Sequence, residues 1–129
     1  MAHHFDLRVY YEDTDLAGIV YYANYLRFIE RARSEWIRTL GIDQKAMKSE
    51  EGIVFAVRRI EADYLSPAHF DDTLDVVTTT ESITGARIHL KQEVLRAGEV
   101  LFTALVTIVA IGEAGQPARL PANIRLLMH

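Results

Sequence analysis

Apolar side chains recur through residues 25–40 at helical spacing. Tyr25, Ile29, Ala32, Trp36 and Leu40 follow one another at steps of four, three, four and four, and Leu26, Phe28 and Ile37 widen the stripe. That pattern predicts an amphipathic helix with a broad buried face. Asn24 is placed to cap its start and Gly41 to stop it in a left-handed turn. A span of about 17 residues is ~25 Å long at ~1.5 Å per residue. Asp43 is placed to cap a second, short helix running through Met47.

Elsewhere the period is that of strands. Leu7 to Tyr11 reads as a first strand, followed by the polar, glycine-containing loop Glu12 to Gly18. From Ile53 onward, Val54 to Val57 and Ile60 to Tyr64 form one strand region that ends at Ser66-Pro67. Thr73 to Thr80 is dense in β-forming residues. After the turn Thr84-Gly85-Ala86, the residues Ile88, Leu90 and Val94 keep even spacing, with Gln92 breaking the apolar run. Ala97-Gly98 turns the chain into Val100 to Ile111, and a tail with Pro117 and Pro121 follows Gly112 to Gly115. One strand, one long helix and then four or five strands with short turns predict an α+β layer of antiparallel sheet over helix. The single domain spans residues 1–129, since a chain of this length matches one domain of ordinary size.

Composition narrows the chemistry. The chain has no cysteine, which removes disulfides, thiolate metal sites and cysteine nucleophiles, and fits a reducing compartment. Its formal net charge of −4 speaks against a mainly electrostatic nucleic-acid binder. The N-terminal residues Met1 to Asp6 lack the basic and apolar regions of a signal peptide, and His3-His4 receives no role. The longest apolar run, Val100 to Ile111, is shorter than the ~20 residues of a membrane-spanning helix. A soluble, cytoplasmic protein without membrane insertion is the expectation.

The loop Glu12 to Asn24 is the richest place for a reaction. It joins Glu12, Asp13 and Asp15 to a run of aromatic residues and to a helix start, where free N–H groups can stabilise an anion or a developing oxyanion. A carboxylate there can act as general base or nucleophile. Taken alone, acidic residues before a helix more often cap it. Asp13 and Asp15 lack the further ligands of a calcium loop, and no HExxH pattern accompanies them, so no metal is expected. His69 and His89 read as polar surface residues. Arg58, Arg59 and Arg87 are basic enough for phosphate, although each alone is more simply a solvated charge; strand alternation sets Arg58 and Arg59 on opposite faces.

The stretch Tyr10 to Ile37 resembles the hotdog-fold acyl-CoA thioesterases, in particular the tol-pal-associated and 4-hydroxybenzoyl-CoA subgroup. The matching residues are Asp13, Asp15, Gly18, Val20, Tyr22 and Tyr25, then Glu30, Ala32 and Arg33. Val57 to Arg59, Tyr64, Pro67-Ala68 and Asp71-Asp72 extend the likeness over most of the chain. The resemblance implies a sheet wrapped around one long central helix and hydrolysis of acyl-CoA thioesters, short-chain or aromatic. It implies Asp15 as the catalytic carboxylate. Tyr22 stands where many tol-pal-associated members carry histidine, which leaves its backbone N–H to polarise the thioester carbonyl. Gly18, Val20, Arg58, Arg59 and Arg87 are the substrate-binding candidates, Arg87 through the coenzyme phosphates. No cofactor is implied.

Similar proteins assemble as dimers or as tetramers, with the site at the subunit interface and the coenzyme reaching the partner. Physical reasoning points the same way, because a lone sheet on one helix leaves an edge strand and an apolar sheet face uncovered; Val54 to Tyr64 is the candidate edge. Burial near Tyr21, Tyr22 and Val20 is expected to raise the pKa of Asp15. Acyl carrier protein is the alternative carrier to coenzyme A. Two other readings stay open: a hotdog dehydratase or hydratase, which needs a histidine absent from residues 12–24, and a non-catalytic acyl-thioester-binding protein.

Overall fold

A computed structural model describes residues 2–128. Five antiparallel strands form one sheet: β1 (Ala2–Arg8), β2 (Val54–Tyr64), β3 (Thr73–Ile83), β4 (Arg87–Arg96) and β5 (Glu99–Ile111), in the spatial order β1-β3-β4-β5-β2. The long helix α1 (Asn24–Thr39) lies on the inner face of that sheet. Two shorter helical pieces follow: α2 (Gln44–Ala46), which runs on into a π-turn at Met47–Glu51, and α3 (Ala122–Met128).

The helix forms where its stripe predicts. Tyr25, Phe28, Ile29, Ala32, Trp36 and Ile37 are buried, and full burial of a side chain such as Phe28 or Ile29 contributes about 2–3 kcal/mol. Leu26 departs from the expectation and is exposed, since it falls on the flank of the stripe away from the sheet. Gly41 ends the helix with φ +82°, a conformation glycine adopts without a Cβ clash. Asn24 is not the cap. Ala23 holds that position in a helical conformation, and Asn24 is the first helical residue, with its amide turned back to the carbonyl of Asp13 at 2.9 Å. Asp43 does cap α2, accepting from the Ala46 N–H.

Strand boundaries show where alternation was misread. β1 begins at Ala2 rather than Leu7, because Phe5 and Leu7 already alternate inward and pack on the core. In β4, Gln92 does not break the inward face: it is fully buried there between Leu90 and Val94. In β2 a bulge at Val57/Arg59 leaves Arg58 without a register partner, so simple alternation does not describe Arg58 and Arg59. Arg59 faces outward opposite Thr107, and both arginines are exposed. The β4–β5 hairpin turns on Ala97 and Gly98, both at positive φ, which suits the twist of a two-residue hairpin.

The tail contains one element the sequence pattern did not reveal. Leu120, Ile124 and Met128 bury themselves, and Thr80 Oγ1 of β3 donates to the Met128 carbonyl. β2 stands at one edge of the sheet, as expected for Val54 to Tyr64, and β1 at the other. The outer sheet face is not apolar. It carries His4, Asp75, His89, Lys91 and Thr107, with Leu105 as an exposed exception. Among the described residues, no helix is long and apolar enough to cross a membrane.

Candidate active site

The loop before α1 is built by two aspartates with different surroundings. Asp13 is buried, and its carboxylate accepts from the Tyr10 N–H at 2.8 Å. Its carbonyl accepts from the Tyr21 N–H at 2.9 Å and from the Asn24 amide. Asp13 therefore ties three points of the loop to the start of α1. Asp15 points away from this knot. It is exposed, and its carboxylate makes one local bond, accepting from the Ala17 N–H at 2.9 Å. The burial expected around Asp15 is absent from the single chain, because Tyr21 and Tyr22 lie exposed rather than packed over it. Gly18 closes the turn at φ +79°, donating to the Asp15 carbonyl. No atom lies within 4 Å of a Cβ built on Gly18, so the requirement there is conformational rather than spatial.

Asp15 opens onto a cleft of about 360 Å³ with Ile19, Val20, Tyr22, Tyr25 and Tyr64 in its wall. Leu65, Ser66 and Pro67 complete the wall. Val20 is buried, and its N–H donates to the Ala68 carbonyl, which fastens the Asp15 loop to the segment after β2. The hydroxyl of Tyr25 accepts from the Ala68 N–H at 3.0 Å, a second tie to the same segment. Burial pushes the Tyr25 phenol up from its ordinary value, against the smaller opposing effect of the Ala68 bond.

Tyr22 sits two residues before α1. Among the described residues nothing accepts a hydrogen bond from the N–H groups of Tyr22 or Ala23. These are the orphan donors of a helix start, beside the positive end of its dipole. Tyr64 holds this peptide in place, its hydroxyl donating to the Tyr22 carbonyl at 3.0 Å. The Tyr64 ring packs edge-on against Tyr25 and Phe102, and burial raises its phenol pKa, with Tyr22 and Tyr25 adding to the rise.

The arrangement therefore sets an exposed carboxylate and Tyr22, whose N–H has no described acceptor, in the wall of one largely apolar cleft. Such a site can hold a carbonyl against that N–H while the carboxylate works on a water or on the carbonyl carbon. Of the sequence candidates, Asp15, Val20 and Tyr22 line the cleft, and Gly18 closes the turn that carries Asp15 without lining it. Arg58, Arg59 and Arg87 do not line the cleft. Arg59 pairs with Glu61 on the outer face, and Arg87 stands opposite Val109 near the far turn of β4. Tyr64 and Tyr25 were not singled out for the site, although both lie in the segments that carry the family likeness. No described histidine lines the cleft, and no described cluster of His, Cys, Asp and Glu could hold a metal.

A sheet curved on one helix, with an acidic loop and free N–H groups at the helix start, defines a hotdog-fold thioesterase scaffold. The chain belongs to the thioesterase-like superfamily, whose family model matches residues 9–126. It is 38% identical over 127 residues to an acyl-CoA thioesterase YbgC of Haemophilus influenzae, a match covering 97% of this chain and 93% of that protein. A probable thioesterase from Bartonella henselae superposes with a TM-score of 0.90 at 41% identity, covering 94% of this chain and 100% of that one. The fold is shared with a 4-hydroxybenzoyl-CoA thioesterase solved with 4-hydroxybenzoyl-CoA, at a TM-score of 0.93 and 22% identity over 99% of both chains.

Proposed function

We propose that the protein is an acyl-CoA thioesterase, hydrolysing the thioester bond to a free acid and coenzyme A. The observation that carries this reading is the cleft lined by both Asp15 and Tyr22, the latter with an N–H that has no described acceptor. In this reading the thioester carbonyl oxygen lies against the Tyr22 N–H. Asp15 takes a proton from a water whose oxygen attacks the carbonyl carbon, or attacks that carbon itself to form an anhydride that a water then opens. In either course the C–S bond breaks, the coenzyme leaves as thiolate and takes up the proton released by water, and Asp15 is regenerated as the carboxylate. One oxyanion donor is worth ~10²–10³ in rate and a positioned base ~10²–10⁴. Val20 shapes the wall, and Gly18 sets the turn that presents Asp15. The bound acyl groups are short or aromatic, in keeping with the largely apolar, tyrosine-rich lining.

The working unit is a homo-oligomer, a dimer or a dimer of dimers, of single-domain chains in the cytoplasm. Support comes from β2, an 11-residue edge strand without a described partner on its outer side, and from the exposed Val57, Tyr64 and Leu65 along it. Pairing two such edges covers them and brings a second chain to the cleft. Arg58, Arg59 and Arg87 then serve the coenzyme phosphates from a neighbouring subunit. A dehydratase reading is disfavoured because no described histidine stands in the cleft wall.

Thiol release from a panel of acyl-CoA and acyl carrier protein thioesters tests the activity. Turnover of at least one short or aromatic acyl-CoA is expected, and no release from any thioester by the folded protein would end the proposal. The shared site is tested by mixing Asp15→Asn subunits with Arg87→Ala subunits. Partial recovery of activity is expected, and none after proven subunit exchange would contradict it.

A further inference from the structure

The turn that carries Asp15 has little support of its own. Residues 15–18 are all exposed. The turn is closed by two main-chain bonds, Asp15 N–H to the Ile19 carbonyl at 3.0 Å and Gly18 N–H to the Asp15 carbonyl at 2.9 Å. Its return arm leans on the segment after β2. Ile19 bridges to His69, and the Val20 N–H donates to the Ala68 carbonyl at 2.8 Å. The place of that segment therefore sets the place of the Asp15 carboxylate.

Two successive peptide groups of the segment have every polar atom engaged. In the Pro67–Ala68 peptide, the carbonyl accepts from a terminal nitrogen of Arg96 at 3.2 Å, and the N–H donates to the Tyr25 hydroxyl at 3.0 Å. In the Ala68–His69 peptide, the carbonyl accepts from Val20, and the N–H donates to an Asp72 carboxylate oxygen at 2.8 Å. The same Arg96 nitrogen donates to that oxygen, also at 2.8 Å. Arg96, the last residue of β4, thus grips one peptide directly and the next through Asp72, while α1 grips the first through Tyr25. Ala68 is fully buried, so the peptides cannot shift without disturbing close-packed neighbours. A cation on a peptide carbonyl also polarises that peptide and strengthens the bond its N–H donates. Arg96 does not line the cleft, and its remaining described partner is Glu99 at 3.3 Å.

We propose that Arg96 is a positioning residue for the Asp15 carboxylate, acting from outside the cleft through the Pro67-Ala68-His69 backbone. It touches no substrate, and the inference rests on the proposed role of Asp15. A displacement of about 1 Å in a reacting group costs up to ~10²-fold in rate. An arginine that only stabilised the fold would change stability and leave turnover per folded molecule as it was.

Arg96→Met keeps the aliphatic stem and removes the donors. In thiol release from the best acyl-CoA substrate, kcat is expected to fall roughly 10-fold with KM little changed. Arg96→Lys keeps a cation beside the Pro67 carbonyl and Asp72 and should recover part of that loss. Glu99→Gln should turn over as wild type does, because its bond to Arg96 leads away from the segment. A double-mutant cycle separates positioning from general support. With Asp15→Asn already in place, Arg96→Met should change the residual rate by less than ~2-fold. An Arg96 that supported the whole cleft would lower the rate equally in both backgrounds. The inference is overturned if folded Arg96→Met keeps the wild-type kcat, if KM rises instead, if Glu99→Gln does equal damage, or if the fall persists undiminished beside Asp15→Asn. Should circular dichroism show Arg96→Met unfolded, Tyr25→Phe carries the same test. It releases the other end of the same peptide and keeps the ring, so the same fall in kcat and the same loss of effect beside Asp15→Asn are expected. If Asp15→Asn alone turns over as wild type does, the proposed reaction fails and the inference with it. If Asp15→Asn is impaired and the Arg96 effect persists beside it, the inference alone fails.

Discussion

The start and the middle of α1 treat polar groups in opposite ways. At the middle, Arg33, Gln92 and Thr78 are buried and joined in a chain of hydrogen bonds that also takes in the Ile29 carbonyl. At the start, Asp15 is exposed, the Tyr22 N–H has no described partner, and Tyr64 merely holds the peptide that follows it. Buried polar groups in a core must be satisfied, and a satisfied network fixes one packing. Unsatisfied groups in an open cleft remain available to a substrate. The same helix thus supplies both a locked centre and a reactive end. Asp13 belongs to the locked kind even though it stands two residues from Asp15.

Breaking the locked centre should cost stability, with turnover per folded molecule retained. Gln92→Leu leaves Arg33 and Thr78 without their partner inside the core, and a loss of about 2–4 kcal/mol is expected in denaturant unfolding. Little change there, together with a large loss of activity, would exchange the roles of the two regions.

At the reactive end, Tyr64→Phe removes the hydroxyl from the Tyr22 carbonyl and keeps the ring packing. One net hydrogen bond corresponds to a loss of roughly 2–10-fold, expected in kcat with KM little changed. A rise in KM alone would make Tyr64 a binding residue instead. Asp13→Asn keeps an acceptor for the Tyr10 N–H, so it should cost less than about 1 kcal/mol, or roughly a factor of five in rate.

The smallest effect concerns the segment after β2. Burial tends to raise the Asp72 pKa, but hydrogen bonds from the His69 N–H and Arg96, with the charges of Arg96 and His69, hold it below the usual carboxylate value. Its contribution is therefore present above the unfolded-state pKa, near pH 4, and fades as pH falls through the lower folded-state value. Asp72→Asn should flatten the acid limb of stability below about pH 4. An unchanged limb would show that Arg96 fastens this segment through the Pro67 carbonyl alone.

Much of this division can be read from the residues. The helical stripe from Tyr25, the strand-forming run from Val100 and the edge position of Val54 to Tyr64 follow from local periodicity and turn residues. The roles within the site follow less directly. Gln92 looks like an interruption until Arg33, 59 residues earlier, is known to face it. Tyr64 is separated from Tyr22 by 42 residues, so no local pattern announces their bond. Asp13 and Asp15 are the same residue type two positions apart, and only the turn closed by Gly18 sends one inward and the other into the cleft. The tail helix was missed because Pro117 and Pro121 suggest an irregular end, while the burial of Ile124 and Met128 depends on the sheet beneath them.

The central claim is that the exposed aspartate, and not the buried one, performs the chemistry. Thiol release by Asp15→Asn on the best acyl-CoA substrate, with the fold and assembly state verified, tests it most directly. The account predicts a fall of at least ~10²-fold in kcat, the low end for a positioned base, with wild-type stability. A correctly folded Asp15→Asn protein turning over near the wild-type rate would contradict it.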